Sequence, residues 1–291
     1  MGTRTRWLLG MLGISALLLA GCTGAQDDDP VTSGTAEGAG ETGAAVAQAP
    51  TAGEDRVAAI KERGSLIVGM TLQFEPQMYL DEDGEPAGYD VELMQMLADD
   101  LEVELDIRDL EFDALIPGLI ANDFDVVSVG LVNRPPRAEQ VSFTRPYVPY
   151  RQVVVVNSEA GITSLEDLNS PDTRMTALIG STAASLVTEQ FPDAELVELE
   201  QQPAFLEVAS GSADAIVVEE YLALPFVEEN PSTEVLNPDQ PFSQEYGRLA
   251  VPRGDFLWLG YVDNWLDYYT ANGTLDRLYT EIIGPTDGLP Q

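Results

Sequence analysis

Residues 126–156 read VVSVGLVNRPPRAEQVSFTRPYVPYRQVVVV. The run Val126–Val132, interrupted only by Ser128 and Gly130, has the near-continuous apolar character of a strand buried on both faces. Two prolines then remove backbone donors and fix φ, so Arg134 and Arg137 project from a rigid loop. A short strand is predicted over 141–143, leading into Arg145-Pro146-Tyr147, and a third apolar strand over 153–156. In open α/β sheets, ligands lie beyond the carboxyl ends of the strands, where Arg137 stands. A planar guanidinium suits two parallel hydrogen bonds to a carboxylate; a plain surface ion pair is the alternative for such an arginine.

Outward from that stretch, the amino terminus bears on location. Arg4 and Arg6 precede an apolar segment, 7–19, too short for a mature membrane span, which closes on Leu19-Ala20-Gly21-Cys22. Small residues before a cysteine at this place resemble a bacterial lipoprotein signal, which implies cleavage before Cys22 and lipidation of that residue. Cys22 is the only cysteine and there is no histidine, so the sequence holds neither an internal disulfide nor a Cys/His metal site. Residues 23–53 are mostly small and polar and read as a flexible tether. The folded part begins near Glu54 and is long enough for one large or two medium domains.

Fifty acidic residues stand against fourteen basic ones, Lys61 being the sole lysine. No basic stripe exists to meet phosphates, which excludes nucleic-acid binding. The acidic run 81–85 lacks the ligand spacing of a calcium loop. Such a surface suits a saline exterior, where screening weakens the repulsion among like charges.

From Glu54 the pattern alternates between helix and strand. Helices are predicted over 54–63 and 90–101 (with Asp90 as cap), then 112–121, 182–190 and 204–209. Another starts at Glu220, and two aromatic-rich helices, 256–269 and 275–283, close the chain. Strands are predicted over 66–70, 103–107, 175–179, 196–199, 215–218 and 249–251, with Ser164 capping the segment Leu165-Glu166-Asp167-Leu168. Repeated strand–helix units mean α/β architecture with mostly parallel sheets.

Several of these segments, in this order, resemble a known family: LIVGMTLQFEPQMYLDEDGEPAGYDVELMQMLADDL, FDALIPGLIANDFDVV, RAEQVSFTRPY, SLEDL, IGSTAASLV, ADAIVVEE and ANGTLDRLYTEIIG. The chain is similar to the bacterial extracellular solute-binding proteins, family 3, which serve ABC importers of polar amino acids. The fold is shared with the ligand cores of ionotropic glutamate receptors. The resemblance implies the two-lobe, type II periplasmic-binding-protein-like fold, with a ligand cleft between lobes joined by two hinge strands. Lobe 1 would comprise 54–150 plus 247–291, and lobe 2 would comprise 151–246. It further implies that Arg137 and the Thr182 amide hold the ligand's carboxylate and that Phe74 and Phe112 pack against it. Glu219 and the Gly130 carbonyl would meet its ammonium. Taken alone, the two phenylalanines also fit core positions, Thr182 a helix start and Glu219 a dipole-favoured helix start.

The chain departs from the family pattern at the ammonium end. Glu219 replaces an aspartate, Val132 a threonine, Thr71 an aspartate, Gln77 an aromatic and Leu178 a polar residue. The absence of charge at Thr71, Gln77, Leu178 and Val218 leads to an expected ligand with a neutral side chain, with Arg134 as the group that would reverse this if it turned inward. The expected function is capture of a small carboxylate-bearing solute for a membrane ABC permease by a monomeric, lipid-anchored, extracytoplasmic protein without metal or cofactor. The alternatives are a cyclohexadienyl dehydratase-like enzyme, with Glu219 as general acid, and a ligand-sensing lipoprotein.

Overall fold

A computed structural model of the chain describes residues 55–285. The leader, Cys22, the 23–53 tether, Glu54 and the last six residues lie outside the described residues.

Helix α1 (Arg56–Arg63) starts at Asp55, whose side chain accepts from the Ala58 amide, and stops at Gly64 in the left-handed region that glycine adopts freely. Strand β1 (Ser65–Met70) follows, then β2 (Gln73–Phe74), β3 (Met78–Leu80) and β4 (Pro86–Ala87), which make a small antiparallel sheet the sequence reading did not anticipate. Helix α2 (Tyr89–Leu101) begins one residue earlier than the expected cap. Its N-cap is Gly88, and Asp90 is not a cap but a fully buried side chain of the helix itself. Next come β5 (Glu104–Asp109), a 3-10 turn at Phe112–Ala114 that runs into α3 (Leu115–Ile120), β6 (Val126–Val132) and the short α4 (Pro135–Ala138).

Two of the expected strands merge. β7 (Ser142–Asn157) is a single 16-residue strand, roughly 50 Å long at the usual rise. Beyond it lie a capped 3-10 turn at Leu165–Leu168, β8 (Arg174–Leu178), α5 (Thr182–Gln190), β9 (Glu195–Leu199), α6 (Gln201–Ala209), β10 (Ala215–Glu219) and α7 (Glu220–Glu229). The chain ends through β11 (Thr233–Leu236), β12 (Ser243–Val251), α8 (Phe256–Ala271) and α9 (Thr274–Ile282).

The large sheet has the order β5-β1-β6-β12-β7-β10-β8-β9, with β11 also on β7. On one side β1 pairs in parallel with β5 and β6; on the other β8 pairs in parallel with β9 and β10. The antiparallel pair β7–β12 runs between them. Three cores result. The first gathers β1, β6, α2, α8 and α9, including Leu66, Leu97, Trp258 and Leu275. The second and third lie on opposite faces of the other half of the sheet, and the run 153–156 divides between them. Val154 and Val156 join Val187 and Phe191, whereas Val153 and Val155 join Phe205 and Val208. This is the two-lobe arrangement, and the period-2 pleat explains why an unbroken apolar run serves both faces.

Within the first core, Arg56 is fully buried. Its Nε donates to Asp255 at 2.7 Å and its Nη1 to Asp125 at 3.2 Å. Asp125 also pairs with Arg63 and accepts from the Ile67 amide. The cluster ties α1 to the entry of β6 and the start of α8.

Candidate functional site

The parallel strands of both lobes point their carboxyl ends toward one cavity, as this architecture places its ligands. Gly130 and Val132 come from the end of β6, Phe112 follows β5, Leu178 ends β8, Gln201 follows β9 and Glu219 ends β10. The cavity brings together all six residues singled out in the sequence for ligand contact: Phe74, Phe112, Gly130, Arg137, Thr182 and Glu219. Thr71, Gln77 and Val218, expected to border the ligand, are not in its lining. Thr71 and Gln77 bond to neighbours in the first lobe, and Val218 faces the third core. Tyr150, Ser181, Ala183, Gln201, Val217 and Tyr221 do line it.

Arg137 projects from α4, where the prolines at the first two helical positions cost no hydrogen bond. Its guanidinium donates to the Val132 carbonyl at 3.1 Å, the Thr182 hydroxyl at 3.3 Å and the Gly180 carbonyl at 2.9 Å. It also lies 5.6 Å from the centre of the Phe112 ring, a cation–π distance. Among the described residues no carboxylate forms an ion pair with it. Burial, and next the neighbouring Arg134, bring its pKa down to about 10. Phe112 in turn meets Phe74 edge-on at 6.5 Å.

Across from it, α5 opens at Ser181, whose hydroxyl accepts from the Ala184 amide. The amides of Thr182 and Ala183, the first two of that helix, have no intrahelical acceptor and border the cavity at the positive end of the dipole. Glu219 receives a hydrogen bond from Gln152 at 2.8 Å. Burial raises its pKa above the usual carboxylate value, and the Gln152 bond only partly offsets this.

A polar layer behind the cavity escaped the sequence reading. Asp90 accepts from Ser128, Tyr147 and Gln77. The Tyr147 hydroxyl also takes the Gly130 amide at 2.9 Å, and Gln77 Nε2 donates to Tyr150 Oη at 2.7 Å. Gly130 has φ +63°, and a Cβ there would fall 1.7 Å from Tyr150 Oη, so only glycine fits. Such a buried hub gives no local signal, because a helix-start aspartate most simply reads as a cap.

Arg134 does not turn into the cavity. It bonds to Glu189 of α5 at 2.6 Å and to Glu245 of β12 at 3.5 Å. Among the described residues there is no cluster of three or more metal-ligating side chains, and no helix long and apolar enough to cross a membrane.

The model of the bacterial extracellular solute-binding proteins, family 3, matches residues 66–285. A probable histidine-binding protein of Neisseria gonorrhoeae is 25% identical over 97% of each chain. Cyclohexadienyl dehydratase of Pseudomonas aeruginosa is 27% identical over 76% of this chain and 84% of its own. An ancestral arginine-binding protein, solved with arginine bound, is 31% identical, with a TM-score of 0.70 over 76% of this chain and 99% of that one.

Proposed function

The chain belongs to the bacterial extracellular solute-binding proteins, family 3, and from that premise we propose that it captures an amino acid with a neutral side chain and hands it to an ABC permease. One observation carries this reading: among the described residues Arg137 and Glu219 are the only charged ones lining the cavity, and they come from its two sides. A carboxylate replaces the weak neutral acceptors of Arg137 with a charge-assisted pair and takes the Thr182 and Ala183 amides. An ammonium meets Glu219 and the Gly130 carbonyl, while Phe74 and Phe112 cover the ligand. A charged side chain would enter this lining unpaired, which is costly.

Because Arg137 and Gly130 belong to one lobe and Thr182 and Glu219 to the other, ligand contacts favour the closed arrangement, and closing is what a permease can detect. The lobe limits, 54–150 with 247–291 and 151–246, are part of the proposal. They are supported by the way the first core, Leu178 apart, draws its buried residues from the outer segments and the other two from 153–236. Titration calorimetry with the twenty amino acids tests the reading. Submillimolar binding by neutral members is expected; tight binding of glutamate or arginine with none of the neutral set overturns it.

The same proposal places the protein outside the cytoplasm as a lipid-anchored monomer. Support comes from the small residues ahead of Cys22 and the long polar tether. Intact-mass analysis of the native protein should show acyl chains on Cys22, lost in Cys22→Ser; an unmodified native cysteine ends the claim. A second reading, dehydration of a cyclic carboxylate, draws on the raised pKa of Glu219, which suits a general acid. Product formation from such substrates would favour it over capture.

A further inference from the structure

The lobe 2 wall of the cavity contains a hydrogen-bond donor without an acceptor among the described residues. Gln201, first residue of α6, is 2% exposed, lines the cavity, and has no acceptor for its Nε2 among the described residues. Its own helix start is equally open: Glu200 makes no side-chain cap, and Pro203 supplies no amide. A buried donor without a partner is rare in a folded protein and calls for an explanation.

The position of α6 suggests one. β9 neighbours β8, and β8 neighbours β10, so Gln201 stands roughly two strand spacings, about 10 Å, from Glu219, with the Thr182 helix start between them. An amino acid held by Thr182 and Glu219 therefore has the end of β9 within reach of its side chain. The charges nearby narrow the choice. Glu200 faces Glu111 across the cleft, with Asp113 close by, and this acidic group opposes a carboxylate side chain. A carboxamide meets both conditions: its carbonyl accepts from Gln201, and it brings no negative charge toward Glu200 and Glu111.

We propose that Gln201 is a specificity-determining residue that selects a ligand whose side chain ends in a carboxamide or ureido group, such as glutamine or citrulline. The inference rests on the amino-acid capture reading and goes beyond it. A site built to hydrogen-bond a polar group rejects the analogue lacking it, because its own buried group is then left unpaired.

Calorimetry of the full chain with glutamine, citrulline, norleucine, arginine and glutamate tests this, with melting of the empty protein as the folding control. The wild type should bind glutamine or citrulline at least about 10-fold more tightly than norleucine. Gln201→Leu should erase that difference while still binding norleucine. Gln201→Glu, which exchanges the donor for an acceptor, should move the preference toward arginine. The same glutamine-to-norleucine ratio in wild type and Gln201→Leu overturns the inference and leaves amino-acid capture standing. So does a wild-type preference for arginine that neither variant alters. No heat with any amino acid overturns the capture reading, and the inference falls with it.

Discussion

Arg56 and Arg137 are both withdrawn from bulk water, and they are treated in opposite ways. Arg56 is fully buried among carboxylates, with Asp125 and Asp255 on its guanidinium. Arg137 is half-buried against carbonyls, a hydroxyl and an aromatic face, with no ion pair among the described residues. The first charge is answered internally, so it holds the fold together and offers nothing to a ligand. The second keeps its strongest kind of partner vacant, and burial penalises its charged form. Buried acids repeat the contrast. Asp90 has three side-chain donors, whereas Glu219 has one, Gln152. Completeness of pairing separates scaffold from site.

The contrast is broken most directly by removing each arginine. Arg56→Met should destabilise the fold by about 3–5 kcal/mol, because it strips buried Asp255 of its arginine and leaves Asp125 with Arg63 alone. Chemical denaturation checks this, and ligand affinity of the folded fraction should be unchanged. Arg137→Ala should lower affinity more than about 100-fold with stability altered by less than about 1 kcal/mol. Equal stability losses in the two variants would mean that both arginines are structural.

A smaller effect sharpens the comparison of the acids. Glu219→Gln should weaken amino-acid binding about 10- to 100-fold, through loss of charge at the ammonium. It should raise the melting temperature of the empty protein, since a desolvated carboxylate is removed. Asp90→Asn should instead cost about 1–3 kcal/mol of stability by mismatching its three donors. Affinity measured on folded Asp90→Asn should change less than in Glu219→Gln.

The smallest expected effect is a pH slope. Burial, and next the hydrogen bond with Glu111, push Glu200 up to about 7 from the ordinary 4.5. The folded state therefore binds more protons than the unfolded chain between those values. Stability from this group is fully present below pH 4.5 and is lost as pH rises through about 7. The melting temperature should decline from pH 5 to 8, and Glu200→Gln should flatten the decline. An unchanged slope in that variant would assign it to other acids.

Much of the fold and site was legible locally. Strand–helix alternation, the apolar run ending at Val132, the proline-backed Arg137 and the Ser181-Thr182 helix start follow from propensity, capping and the missing donors of proline. These features depend on residues a few positions apart, so the chain alone determined them. The merging of two predicted strands into β7 depended on pairing with β12, about a hundred residues away. The same holds for Arg134, turned aside by Glu189 and Glu245, and for Asp90, which reaches Ser128 and Tyr147 rather than its own helix start. Val217 and Val218 show the limit most simply. One lines the cavity and the other faces the third core, yet both belong to an apolar run. A strand buried on both faces has no polar alternation to mark its sides, so only the register of the assembled sheet decided which valine meets the ligand.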